Sequence, residues 1–194
     1  MKALLLDGSH AGDKALLSAR TILSDELPAK GWTVEGVTLR DTKIAQCIGC
    51  FGCWVKTPGR CFMNDAGNDI ARSMVRSDLL LLLTPVTFGG YSSELKKALD
   101  RVICIVLPFF ARISGEVHHK PRYQRYPALV AIGSLPAVDE ESEGIFRSLV
   151  SRNALNFFSP LHEVKMVYDW QIPDDILMTL KPVVEMRRSG NVAG

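Results

Sequence analysis

The stretch Leu79–Asp100, LLLLLTPVTFGGYSSELKKALD, decides the fold. It opens with five leucines, Leu79–Leu83, and turns abruptly into Thr84-Pro85-Val86-Thr87-Phe88-Gly89-Gly90. A short run of large aliphatics bounded by turn chemistry reads as a strand covered on both faces, the habit of a parallel sheet. After the loop, Ser92 or Ser93 caps a helix whose apolar positions Leu95, Ala98, Leu99, Val102, Ile103 and Val106 recur at spacings of 3 and 4. The loop between strand and helix sits at the carboxyl end of the strand, where open α/β sheets bind ligands. Its residues suit a planar cofactor.

Working outward, Ala3–Leu6 reads as a first strand, Asp7–Asp13 as a turn, and a helix runs to about Ala29, ended by Pro28 and Gly31. Trp32–Leu39 reads as a second strand, which completes a right-handed βαβ unit. Asp41–Arg60 carries Cys47, Cys50 and Cys53 among glycines and Pro58, with Cys61 directly after, and reads as a long irregular loop. Asp65 is placed to cap a helix with Ile70 and Met74 inward. Pro108 stops the helix after Ser92, and Phe109–Pro127 reads as a second long connection. Ala128–Ile132 is the next strand, closed by Gly133-Ser134; a helix follows with Ile145, Phe146, Leu149 and Val150 inward. Val164–Tyr168 is the last strand, and Asp174–Arg188 the last helix, which Pro182 should kink.

Five strands alternating with about five helices predict a three-layer, doubly wound parallel sheet in flavodoxin-like order 2-1-3-4-5. A length of 194 residues suits one domain, taken as 1–189 with a fraying tail at 190–194. In that order a ligand falls between the ends of strands one and three, at Gly8–Gly12 and Thr84–Gly90. A net charge of +2 offers no electrostatic footprint for nucleic acid, and no apolar run approaches twenty residues. The N-terminus lacks a cleavage-like tail, so the expected compartment is the cytoplasm, where five cysteines are thiols, metal ligands or redox groups before disulfides.

The first loop places small residues before a helix N-terminus, whose amides and dipole attract phosphate. It is neither G-x-x-x-x-G-K nor G-x-G-x-x-G, which argues against nucleotide triphosphatases and dinucleotide Rossmann sites. Thr84 stands where a response regulator needs an aspartate. Asp13 opposes a phosphate: at roughly 8 Å and a dielectric of about 20, one like charge costs about 2 kcal/mol. It either does so or points away as a helix cap. In the second loop Pro85 sets the path, Gly89-Gly90 admit close approach, Thr87 offers a hydroxyl, and Phe88 and Tyr91 offer apolar area. A backbone-lined, uncharged slot suits an isoalloxazine; the alternative is that Phe88 and Tyr91 are core or interface residues.

The loop TPVTFGGYSSELKKALDR, preceded by Cys47-Ile48-Gly49-Cys50-Phe51-Gly52-Cys53-Trp54 and Thr57-Pro58-Gly59-Arg60-Cys61, resembles the NAD(P)H-dependent FMN reductase family of the flavodoxin-like superfamily, which includes the iron–sulfur flavoproteins. The resemblance covers residues 1 to about 105 well. It implies FMN, with phosphate at Ser9, His10, Gly12, Lys14 and Ala15 and the ring at Thr84, Pro85, Val86, Thr87, Phe88 and Gly89. It also implies reduction by NAD(P)H, a quinone or other small acceptor or a redox protein downstream, and a homodimer or homotetramer. No side chain need act as catalytic acid or base. The first loop departs from the family in His10, Ala11, Asp13 and Ala15.

The spacing C-x2-C-x2-C-x7-C of Cys47, Cys50, Cys53 and Cys61 suits three corners of a [4Fe–4S] cube with a fourth from a distance. Trp54 and Thr57-Pro58-Gly59 resemble cluster-free members, in which the thiols shape the loop; zinc or a redox disulfide are the other options. Cys104 reads as a packed small hydrophobe. His118, His119, Arg112, Lys120 and Arg122 form a basic stretch, either solvated or reaching the NAD(P)H phosphate. The reading is an FMN-dependent NAD(P)H oxidoreductase. The rivals are a [4Fe–4S] flavoprotein electron carrier and a non-enzymatic binding protein with an impaired FMN site.

Overall fold

Leu79–Leu83 is covered on both faces, and the alternation of strand side chains divides it between two cores. Leu79, Leu81 and Leu83 pack with Leu16 and Leu23 from one helix and Ile176 and Leu180 from another. Leu80 and Leu82 pack on the other side with Ile70, Met74, Leu95 and Phe146. All five leucines are essentially solvent-free, which is why the strand carries no polar position. The computed structural model describes residues 1–113 and 115–186.

The strands in chain order are β1 (Lys2–Asp7), β2 (Thr33–Thr38), β3 (Leu79–Pro85), β4 (Val106–Ile113), β5 (Glu116–Pro121), β6 (Ala128–Leu135) and β7 (His162–Tyr168). The helices are α1 (Lys14–Ala29), α2 (Gly52–Val55), α3 (Ala66–Arg76), α4 (Ser93–Arg101), α5 (Glu140–Asn156) and α6 (Pro173–Val184). The main sheet runs β2-β1-β3-β6-β7, with every pairing parallel. Setting aside the separate β4–β5 hairpin, this is the expected 2-1-3-4-5 order. Helices α1 and α6 cover one face, and α3, α4 and α5 the other. The caps fall where the sequence places them: Asp13, Asp65, Ser92 and Asp139 each accept a first-turn amide.

Several expectations are corrected. The helix expected to run to Val106 ends at Arg101; a 3-10 turn, Val102–Ile105, follows, and Val106 opens β4. Pro108 disfavours helix at the residue before it, while Val102, Cys104 and Ile105 keep their place in the core and Ile103 turns outward. The connection Phe109–Pro127 holds the antiparallel hairpin β4–β5, with Gly115 near its tip at φ +87°. Its strands carry exposed Phe109, Phe110 and Val117, so no polar–apolar alternation marks them. The long cysteine loop contains one short helix, α2. Strand β6 continues through Gly133 and Ser134, which pair with Thr84 and Pro85. A Cβ at Gly133 would stand 2.8 Å from both Phe146 and Val86; glycine serves close packing there, not a turn.

Ile145 faces outward and is half exposed, against the expected inner face of α5. Helix α6 ends at Val184, two residues past Pro182 and short of the expected Arg188, with Glu185 as its C-cap; Arg187, Arg188 and the tail after Ser189 lie outside the described residues. Among the described residues no helix is long and apolar enough to cross a membrane.

Candidate functional site

The carboxyl ends of β1 and β3 lie side by side, Asp7 against Leu83, and the loops leaving them form a cleft of about 570 Å3. The cleft brings His10, Gly12 and Lys14 of the first loop against Pro85 and Val86 of the second. Those five predicted residues meet. The other six do not line it. Ala15 is buried under the first turn of α1. Ser9 is 5% exposed; its amide donates to Asp7 Oδ1 at 2.9 Å and its Oγ accepts from Arg40 at 3.0 Å.

Thr84 is fully buried, and its hydroxyl donates to Pro85 O and accepts from Ser92 N. Its work is to hold the loop to the cap of α4. Thr87 and Gly90 exchange backbone hydrogen bonds at 3.0 and 2.8 Å. Between them Phe88 and Gly89 both have positive φ, +50° and +73°, the pattern of a type I′ turn. Phe88 stands at 99% exposure on that turn. Gly89 lies against α5: a Cβ there would meet Ile145 Cγ2 at 2.4 Å.

Asp13 lines the cleft as the N-cap of α1. Its Oδ1 accepts from Leu16 N at 3.0 Å and its Oδ2 from the Ser134 hydroxyl at 2.8 Å. Among the described residues the amides of Lys14 and Ala15 meet no acceptor. Two unfilled amide donors at a helix N-terminus suit a phosphate, and the apolar Pro85–Val86 wall suits a ring. The site therefore fits FMN. The sequence reading missed Ser134, Leu135, Pro136 and Asp169, which complete the cleft from the ends of β6 and β7. Their signal was position after a strand, but only the strand order places them beside β3.

The cysteine loop forms a second site on the α3–α4 face. Cys47, Cys50, Cys53 and Cys61 all line one cavity of about 520 Å3, with Trp54 and His119. Burial pushes the Cys53 thiol up, and the neighbouring Cys61, Cys47 and Cys50 add to it. Cys104 is buried and pushed up to about 11, first by burial. Among the described residues no three His, Cys, Asp or Glu side chains converge as metal ligands, so the four thiols share a cavity without forming a ligand set. Aromatic packing closes this face: Phe51 stacks on Trp54, and the His119 ring lies between Trp54 and Phe110. His119 Nδ1 bonds Leu107 O, and the Arg122 guanidinium donates to Cys104 O; both are tied into the hairpin rather than free for a nucleotide phosphate.

The base of that loop is a buried ion pair. Arg101 donates to Asp65 through Nη1 and Nη2 at 2.8 and 2.9 Å, and Nη1 also reaches Ala45 O at 2.8 Å. Asp65 accepts from the amides of Ala45 and Gly67. Burial raises the Asp65 pKa, but Arg101 and these amides outweigh it and hold the carboxyl below its usual range.

The profile of the NADPH-dependent FMN reductases matches residues 1–137. The chain belongs to that family. An iron–sulfur flavoprotein of Methanocaldococcus jannaschii is 33% identical to this reductase-family chain over 103 residues, which is 52% of this chain and 51% of that protein. One from Archaeoglobus fulgidus is 32% identical over 78 residues, 40% of this chain and 34% of that protein. The chain thus spans about half or less of these curated relatives. An NAD(P)H:quinone oxidoreductase from Methanothermobacter marburgensis superposes with TM-score 0.69 at 16% identity, over 95% of this chain and 97% of its own. An FMN-dependent NADH-azoreductase from Bacillus anthracis, solved with FMN, superposes at 0.67 and 12% identity over the same shares. At such identities the superpositions show a shared fold, with the β1–β3 cleft of this family member at its usual switch point.

Proposed function

We propose that this chain binds FMN in the β1–β3 cleft and acts as an NAD(P)H-dependent oxidoreductase that reduces a quinone or another small acceptor. One observation carries the reading: the cleft sets Lys14, whose amide the Asp13 cap leaves free, against the apolar Pro85–Val86 wall. Phosphate lies along Ser9–Ala15 and the ring against Thr84–Gly89. When bound, FMN supplies the hydride and electron chemistry. The residues present hold its two ends, and the backbone-lined second loop places no titratable side chain against the ring. Residues 1–189 act as one FMN domain, in the cytoplasm, as a homodimer or homotetramer.

The test is to purify the chain, titrate it with FMN, and follow NADPH or NADH oxidation with a benzoquinone. Flavin absorbance that bleaches with NAD(P)H under anaerobic conditions and returns with quinone is the expected result. A colourless protein that ignores added FMN overturns it and leaves the non-enzymatic reading. The iron–sulfur electron carrier draws on the cavity shared by the four thiols; iron and acid-labile sulfide in anaerobically prepared protein would favour it.

A further inference from the structure

We infer that Arg40, which follows β2 and lies outside the phosphate loop, supplies the cation that makes this cleft select the phosphorylated flavin. The inference rests on the FMN reading above. Arg40 Nη1 donates to Ser9 Oγ at 3.0 Å and approaches Ser9 O at 3.3 Å. Both contacts use one nitrogen. Nε lies 3.9 Å from Asp41 Oδ2, and among the described residues Nη2 has no hydrogen-bond partner. Half of the planar donor fork is thus available, on a side chain 35% exposed.

The charge balance points the same way. The buried Asp7 carboxylate accepts from Ser9 N through Oδ1 and from Arg20 Nη1 through Oδ2 at 2.7 Å. Arg20 donates from the same nitrogen to the Thr38 hydroxyl. Arg20 therefore matches the Asp7 charge at short range, and Arg40 meets carboxylates only at long range, 3.9 Å from the same Asp7 oxygen and 3.9 Å from Asp41 Oδ2. Asp13, the other carboxylate of the loop, has both oxygens engaged by Leu16 N and Ser134.

Ser9 completes the device. Its oxygen accepts from Arg40, so its own proton is free to be donated, and among the described residues nothing accepts it. Guanidinium and hydroxyl thus add donors at the start of the first loop to the free amide of Lys14 at its end. Charge-assisted bonds from a guanidinium are the stronger kind.

Riboflavin is FMN without the phosphate, and it separates this role from general support of the loop. The experiment is a fluorescence titration of the full chain and of Arg40→Gln and Arg40→Lys with FMN and with riboflavin. The intact chain is expected to bind FMN more tightly than riboflavin. Arg40→Gln is expected to lose about tenfold or more in FMN affinity while riboflavin affinity stays within about twofold. Arg40→Lys is expected to retain an intermediate preference, and added salt to weaken FMN in the intact chain more than in Arg40→Gln. An unchanged FMN-to-riboflavin ratio in Arg40→Gln overturns the inference. So does a parallel loss of both ligands, which would make Arg40 a prop for the loop. An intact chain that binds neither flavin overturns the FMN reading itself.

Discussion

Replacing Asp65 by alanine strands the Arg101 guanidinium in the core. Arg101 is 2% exposed, its Nε is already buried without a partner, and Asp65 is the carboxylate that meets its other two nitrogens. Breaking a buried pair from one side costs about 3–5 kcal/mol, because the remaining charge stays desolvated. For a chain of this size each kcal/mol moves Tm by about 2–4 °C, so Asp65→Ala should melt about 6–20 °C lower. Arg101→Met keeps most of the volume and removes the cation, and Asp65 keeps the amides of Ala45 and Gly67. Its loss should be smaller, and Asp65→Ala combined with Arg101→Met should be more stable than Asp65→Ala alone. The pair also has a pH signature. Because the folded pKa of Asp65 lies below its ordinary 3.8, its contribution is present above about pH 4 and is lost as pH falls through the folded value. Thermal melts of the three variants at pH 7, repeated toward pH 3, measure all of this. An Asp65→Ala variant within about 1 kcal/mol of the parent, or a double variant no better than the single, would refute the reasoning.

Gly89→Ala should cost about 2–4 kcal/mol, combining left-handed strain with overpacking on Ile145; Ile145→Ala in the same chain should return part of it, as read by urea unfolding, since it removes Cγ2 but leaves Cβ at 2.7 Å. Tyr91 is pushed up to about 12, chiefly by burial, and so is Tyr168, by burial and then Glu143. Each folded pKa exceeds the ordinary 10, so their contribution is full below pH 10 and lost as pH rises toward 12; Tyr91→Phe should flatten the alkaline unfolding curve over that window. Cys47 and Cys50 are exposed and Cys104 is buried; a disulfide reagent should modify the first two in the native chain and reach Cys104 only in denaturant, and rapid native labelling of Cys104 would contradict its packing.

Local pattern made much of the architecture legible. The Leu79–Leu83 run, the glycine-bearing first turn and the spacing of apolar residues are properties of contiguous chain, and they lead to five parallel strands and the β1–β3 cleft. The cap at Asp65 follows from residue type and position alone, whereas the capping role of Asp13 and the choice of Ser92 over Ser93 are open in the sequence and come from the fold. The hairpin β4–β5 was not legible, because Phe109, Phe110 and Val117 face outward and its His119 ring packs on Trp54 from the distant cysteine loop.

The sequence by itself determined the sheet, its strand order and the two loops that meet at the cleft, since each of these follows from short-range periodicity and turn chemistry. Only the tertiary structure decided what the polar groups around the cleft do. Asp13 is tied by Ser134, 121 residues away, and Ser9 is tied by Arg40, 31 residues away. Gly89 is held by Ile145, and Asp65 by Arg101. The physical reason is common to all four. A charge, a hydroxyl or a glycine acquires its role from the partner that desolvates or contacts it, and that partner comes from another strand or helix, where no local spacing records it.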